Sequence, residues 1–258
     1  YVQNHSQTDL SSGIGSAMCA KAISNNKTME FFRSNGYKII NNSFFPVQQS
    51  ESIRELFLPT EERLILDKTF GQVFMHDLIA SVSSNKLHFF LKDGAAKTDL
   101  YNQKVISKTK KDIENAQSPN FLYAHFMMPH FPYLRDSSGK LKDIGKAYIE
   151  SNMGRNKKSY VSYLRYCNTI MISLIDDILK KDNDAIIILA SDHGMREGLK
   201  VNLRFTEFNN FLAIHTPGNN HKGFTDTTSL VNVFRIILNN HFKQHLPLLK
   251  DEFVDFKK

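Results

Sequence analysis

The sequence predicts an α/β fold with a largely parallel sheet. Helical and strand-like segments alternate along the chain, a continuous β-branched run follows a long amphipathic helix, and Pro, Gly and Asn clusters punctuate the joins. Taken in order, Lys27 to Ser34 reads as a helix ending at Asn35-Gly36, and Leu100 to Ala116 as the next. Phe121-Leu122-Tyr123-Ala124-His125, introduced by the loop Gln117-Ser118-Pro119-Asn120, reads as a strand. In Ser159 to Leu179, the residues Tyr160, Tyr163, Leu164, Cys167, Ile170, Met171, Leu174 and Ile178 recur at three- and four-residue intervals, with Ser159 placed to cap. After the polar turn Lys180 to Asp184, the run Ala185 to Ala190 has the character of a parallel strand covered on both faces. Asn210 to His215, stopped by Thr216-Pro217-Gly218, is a third strand, and Ser229 to His241 is the last helix.

The composition bounds the class. With 258 residues, 41% hydrophobic and 23% charged, the chain is an ordinary globular protein, and residues 1–258 read as one domain without repeats or low-complexity tracts. The net charge of +7 is spread over the length, and basic runs such as Lys108 to Lys111 or Arg155 to Lys158 are short solvated faces, which argues against a nucleic-acid binder. No apolar run approaches the roughly 18–20 residues that span a bilayer, and Tyr1 to Leu10 is polar, unlike a signal peptide. Cys19 and Cys167 are too few for a disulfide framework; they read as buried thiols, with a single disulfide left open.

In folds of this type, ligands sit beyond the carboxyl ends of the strands. The strand at 185–190 runs into Ser191-Asp192-His193-Gly194, and the strand at 121–125 runs from His125 through Met127-Met128-Pro129-His130-Phe131-Pro132. Adjacent Asp192 and His193 suit a hard or borderline divalent metal, and Gly194 lets the backbone turn sharply away.

These residues resemble the alkaline phosphatase superfamily, and within it the sulfatase-like hydrolase/transferase branch that includes lipoteichoic acid synthases and lipid A phosphoethanolamine transferases. Ile186 to Gly194 is similar to that branch's metal-binding strand and Asp-His-Gly turn. Phe121 to Tyr133, followed by Asp136 and Gly139, is similar to the segment that brings a histidine to the substrate phosphate. Ser229 to Arg235 resembles a C-terminal helix of one bacterial subgroup, and Asn4-His5-Ser6-Gln7-Thr8, with Ser11 and Met18 downstream, the turn bearing a nucleophilic threonine.

The resemblance implies a three-layer αβα sandwich with a mostly parallel central sheet. It implies Thr8 as nucleophile and metal ligand, Asp192 and His193 as further ligands of one divalent ion (Zn, Mn or Mg), and a covalent phosphothreonine intermediate. His130 would bind or protonate the transferred group, with His125 sharing that work. The substrate implied is a phosphorylated lipid or glycan of the cell envelope. The location implied is extracytoplasmic, in a domain tethered to the membrane by segments outside this chain.

Three departures from the family's pattern shape the expectation. The family's first strand and its acidic metal ligand are expected upstream of Tyr1, so the chain reads as a fragment; Asp9, beside Thr8, is expected to point elsewhere. No Cys/Ser-x-Pro-x-Arg motif of formylglycine sulfatases occurs, and His125 to His130 lacks the aspartate of two-metal enzymes. His221 reads as part of a flexible turn, Arg196 as a solvated loop residue, and the pairs Phe44-Phe45 and Phe89-Phe90 as core. The rival readings are a hydrolase of soluble phosphate or sulfate esters and a catalytically inactive binding domain of the same fold.

Overall fold

Asn26 starts the first helix, α1 (Lys27–Ser34), by accepting hydrogen bonds from Thr28 N and Met29 N on its side-chain oxygen, at 2.9 and 3.3 Å. The helix stops in a Schellman arrangement: Tyr37 N–H donates to Phe32 O, Gly36 N–H donates to Arg33 O, and Gly36 takes a φ of +81°. Phe32 lies 5.2 Å from the Tyr37 ring and 4.7 Å from that of Phe121, so the cap also docks the helix on the sheet.

A computed structural model describes residues 22–23, 25–45, 47, 50, 53, 84–145, 147, 157–194 and 210–250. The chain divides into two compact units, residues 1–174 and 175–258. In the first, β1 (Lys38–Asn42) pairs in parallel with β2 (Asn120–Ala124), in the register Lys38 with Asn120 through Asn42 with Ala124. The long helix α2 (Ser84–Asn115) lies between them in sequence, as a parallel connection requires. It starts well before Leu100, where the apolar period becomes legible. β1 had no sequence signal, because Lys-Ile-Ile-Asn-Asn offers only two apolar residues.

The exit of β1 is polar and buried. Asn42 is fully enclosed; its amide nitrogen donates to Asp112 at 2.9 Å and Thr109 at 3.2 Å, and its oxygen accepts from Lys108 Nζ at 2.7 Å. Lys108 also pairs with Asp112 at 2.8 Å. These partners all come from α2, so the strand end and the helix are joined by a satisfied polar network.

The third helix, α3 (Lys157–Lys181), starts two residues before Ser159, which is therefore a buried helical residue and not the cap its type suggested. Tyr163 and Cys167 of α3 pack with Ile106 of α2 and with Met128 and Tyr133, while Phe126, Phe131 and Tyr160 flank the cluster. The segment leaving β2 is thus built into the core beside both helices.

Beyond it, Arg135 makes a two-pronged pair with Asp99 of α2, both contacts 2.7 Å, and donates to Gly139 O at 2.7 Å. The Asp99 hydrogen bonds hold the guanidinium above its ordinary pKa. Asp136 and Gly139, noted in the family-like segment, shape this turn. Asp136 Oδ1 accepts from Ser138 N, Ser138 Oγ and Lys140 N, and the Ser138 hydroxyl is the main cause lowering its carboxyl pKa. Gly139 has φ +85°, and a Cβ there would meet Tyr166 at 2.8 Å.

In the second unit, β3 (Ile187–Ala190) pairs with β4 (Leu212–His215) in antiparallel fashion, Ile187 opposite His215 and Ala190 opposite Leu212. The α/β class holds, but this pair departs from the parallel partnering expected for 185–190, because an apolar run specifies burial and not strand direction. The last helix, α4 (Leu230–His241), buries Val233, Ile236, Ile237 and Leu238. Asn232 and Asn239 then strap the following segment along it. Asn232 donates to Leu249 O and accepts from Leu249 N, and Asn239 does the same with Leu246, at 2.8–2.9 Å. Among the described residues no helix is long and apolar enough to cross a membrane.

Two expected outcomes follow from this packing. Asp99→Ala leaves the Arg135 guanidinium, with only 18% of its side chain exposed, without its carboxylate, and should cost about 2–4 kcal/mol in urea unfolding; a loss below about 0.5 kcal/mol would show the pair to be idle. Burial raises the thiol pKa of Cys167, a free cysteine, from 9.0 to about 12. Iodoacetamide at pH 8 should therefore label it only after denaturation. The folded thiol keeps its proton while the unfolded one ionises, so its contribution to stability should fall between pH 9 and about 12.

Candidate functional site

β3 ends at Ala190, and the chain turns at once through Ser191, Asp192, His193 and Gly194. Three bonds tie the turn to the chain entering β4: Ser191 N–H donates to Phe211 O at 2.9 Å, Phe211 N–H donates to Ser191 Oγ at 2.7 Å, and Asn210 Nδ2 donates to Ser191 O at 3.3 Å. Asp192 follows with its side chain 82% exposed, one carboxylate oxygen accepting from His193 N at 3.0 Å. His193 is less open, its ring held by Nδ1 against Gly194 O at 2.7 Å. A carbonyl oxygen only accepts, so Nδ1 carries the proton, and in the neutral ring Nε2 presents a lone pair. Metal-binding histidines are characteristically oriented in this way by a backbone carbonyl.

His193 Nε2 lies 3.7 Å from Asp192 Oδ2. Two ligands about 2.0–2.2 Å from one tetrahedral ion stand about 3.3–3.6 Å apart, so the pair fits a shared divalent cation with a closure of a few tenths of an ångström. Among the described residues no group of three His, Cys, Asp or Glu side chains converges. Thr8, the other ligand expected, lies outside the described residues, as do Asp9, Ser11, Met18, Cys19 and Arg196.

The end of β2 is built differently. His125 is half-buried, with its ring edge-on to Phe44 and Phe45, each centroid 5.2 Å away and the planes near perpendicular. Tyr123 Oη is 3.4 Å from its Nδ1. His130 is exposed; its ring stacks on Phe131 at 4.7 Å, and Nδ1–H donates to Phe131 O at 2.6 Å, which leaves Nε2 facing outward. Of the expected residues, the structure brings Asp192 and His193 together on one turn and His125 and His130 onto one loop. The two turns belong to different units. His221 sits exposed in the turn after a short 3-10 segment, its N–H donating to Asn219 O.

Sequence reasoning passed over Tyr101 and Asn102 on α2. The Tyr101 hydroxyl donates to His125 O and Asn102 Oδ1 accepts from Met127 N, both at 2.8 Å. The available signal was polar residues, Asn102 and Thr109, on the same helix stripe as Tyr101, Val105 and Ile106.

In comparison with known proteins, a family model described as Sulfatase matches residues 20–227. No curated protein and no solved structure matches the chain. If Asp192 and His193 hold a cation, calorimetric titration with Mn²⁺ or Zn²⁺ should show binding that weakens at least about tenfold in Asp192→Asn; unchanged affinity would remove Asp192 from the ligand set.

Proposed function

The chain belongs to the sulfatase family, the sulfatase-like branch of the alkaline phosphatase superfamily, and from this premise we propose that it moves a phosphoryl-linked group through a covalent intermediate on Thr8. The observation that carries the reading is the turn after β3: an open Asp192 carboxylate beside a His193 ring whose Nδ1 proton is committed to Gly194 O. That is a ligand pair prepared for one divalent cation. Bound there, such an ion supplies positive charge that lowers a hydroxyl pKa and offsets charge on the transferred group.

The remaining steps fall to the chain's own groups. Thr8 Oγ attacks phosphorus, and its new O–P bond forms as the P–O bond to the leaving alcohol breaks. An acceptor alcohol or water then displaces Thr8, whose oxygen leaves with the bond electrons and regains a proton. His130 is the side chain assigned to the transferred group, because its Nε2 faces solvent at the exit of β2; as imidazolium it donates to a phosphoryl oxygen or to the departing alkoxide. His125, edge-on to two phenylalanine rings, precedes it on the same segment and would share that work.

The family description does not by itself choose sulfate esters. The 258 residues hold no Cys/Ser-x-Pro-x-Arg, so the formylglycine route lacks its residue, and a threonine nucleophile suits phosphoryl transfer. We assign the substrate to phosphorylated envelope lipids or glycans and the location to the extracytoplasmic side.

With 4-nitrophenyl phosphate, bis(4-nitrophenyl) phosphate and 4-nitrophenyl sulfate as probes, turnover should need added divalent metal and favour the phosphate esters. Thr8→Ala should lower kcat by at least about 10³-fold without changing the unfolding midpoint, and acid-quenched wild type should carry phosphate on Thr8 by mass spectrometry. Full activity in Thr8→Ala would end the nucleophile assignment, and preferential sulfate cleavage would end the choice of phosphoryl chemistry.

A further inference from the structure

We infer that Tyr101 and Asn102, adjacent on α2, are positioning residues that set the loop bearing His130. The inference rests on the reading of His130 as the group that meets the substrate. Tyr101 is fully buried, its ring edge-on to that of Phe44 at 6.0 Å, and its hydroxyl donates to His125 O at 2.8 Å. One side chain therefore touches both the chain leaving β1 and the chain leaving β2. Asn102, 1% exposed, accepts from Met127 N at 2.8 Å. Met127 O in turn accepts from His130 N at 3.1 Å, so a chain of two hydrogen bonds runs from the helix through Met127 to the His130 backbone.

The side of α2 that faces the loop is itself fixed. Lys108 and Thr109, which hold Asn42, stand seven residues, close to two helical turns, after Tyr101 and Asn102. Rotating the helix to release one pair would release the other. The Asn102 Nδ2 is buried without a hydrogen-bond partner among the described residues. An orphaned buried donor costs stability, and an aliphatic residue of similar size at this position would avoid that cost. Its Oδ1 is the atom that makes a contact, and that contact is the one to Met127.

The test uses the full chain with Tyr101→Phe, Asn102→Leu, Asn102→Asp and His130→Ala, and Ile113→Val as a buried control elsewhere on α2. Tyr101→Phe keeps the ring and removes only the hydroxyl, so folding is retained, and Asn102→Asp keeps an acceptor for Met127 N. Amide hydrogen exchange by NMR should be about tenfold or more faster at Met127 and His130 in Asn102→Leu, and close to wild type in Asn102→Asp and Ile113→Val. With bis(4-nitrophenyl) phosphate, kcat should fall about ten- to a hundredfold in Asn102→Leu with KM within about twofold, and recover in Asn102→Asp. Unchanged exchange at both amides in Asn102→Leu overturns the inference, whatever the activity. Faster exchange with kcat lowered no further than in Ile113→Val also overturns it. If His130→Ala itself turns over at the wild-type rate, the reading of His130 fails first and the positioning role fails with it.

Discussion

The buried amide of Asn42 is the constraint on which the first unit depends. A fully enclosed asparagine at a strand end is unfavourable unless each polar atom finds a partner, because an unmet buried group costs about 1–3 kcal/mol. Here the partners are Lys108, Thr109 and Asp112, spaced along one stripe of α2. Satisfying one strand residue therefore specifies which stripe of the helix meets the sheet. The same rotation brings Tyr101 and Asn102 against the exit of β2 and directs Ile106 toward Tyr163 and Cys167 of α3. Packing and polar pairing thus converge on a single helix orientation, which is the consistency expected of a well-specified fold.

How much of this was legible in the sequence follows from where the determining forces act. α1 was readable to its boundaries because its signals are local: Asn26 caps, and Asn35-Gly36 closes a Schellman turn. The apolar period of α3 and the aliphatic run of β3 were equally plain. β1 was not, since its strand state comes from pairing with a segment some eighty positions away, which Lys-Ile-Ile-Asn-Asn does not announce. The antiparallel direction of β4 was hidden for a similar reason. At the site, Asp192 and His193 were legible as a dipeptide at a strand end, but the committed Nδ1 proton of His193 is a property of the folded turn.

Asn102 shows the complementary failure. A polar residue on an apolar stripe reads as a minor blemish when only period and polarity are counted. Its meaning depends on which backbone group faces it, and Met127 N–H is brought there by the exit path of β2, not by anything near Asn102 in sequence. Such residues become visible only when the hydrogen bonds of a loop are accounted for one by one.

His130 and His193 share one local device. Each donates Nδ1–H to the carbonyl of the next residue, at 2.6 and 2.7 Å, so each presents Nε2 as its working atom without help from a distant side chain. A neutral Nε2 accepts, which is the state a cation needs at His193, where the neighbouring Asp192 carboxylate adds negative charge. The neighbours differ: Asp192 places a carboxylate oxygen 3.7 Å from His193 Nε2, whereas Phe131 stacks on the His130 ring. Identical backbone anchoring with different neighbours therefore leaves one imidazole beside an anion and the other against an apolar ring. The backbone sets the tautomer, and the adjacent residue, Asp192 in one turn and Phe131 in the other, sets the surroundings of the ring.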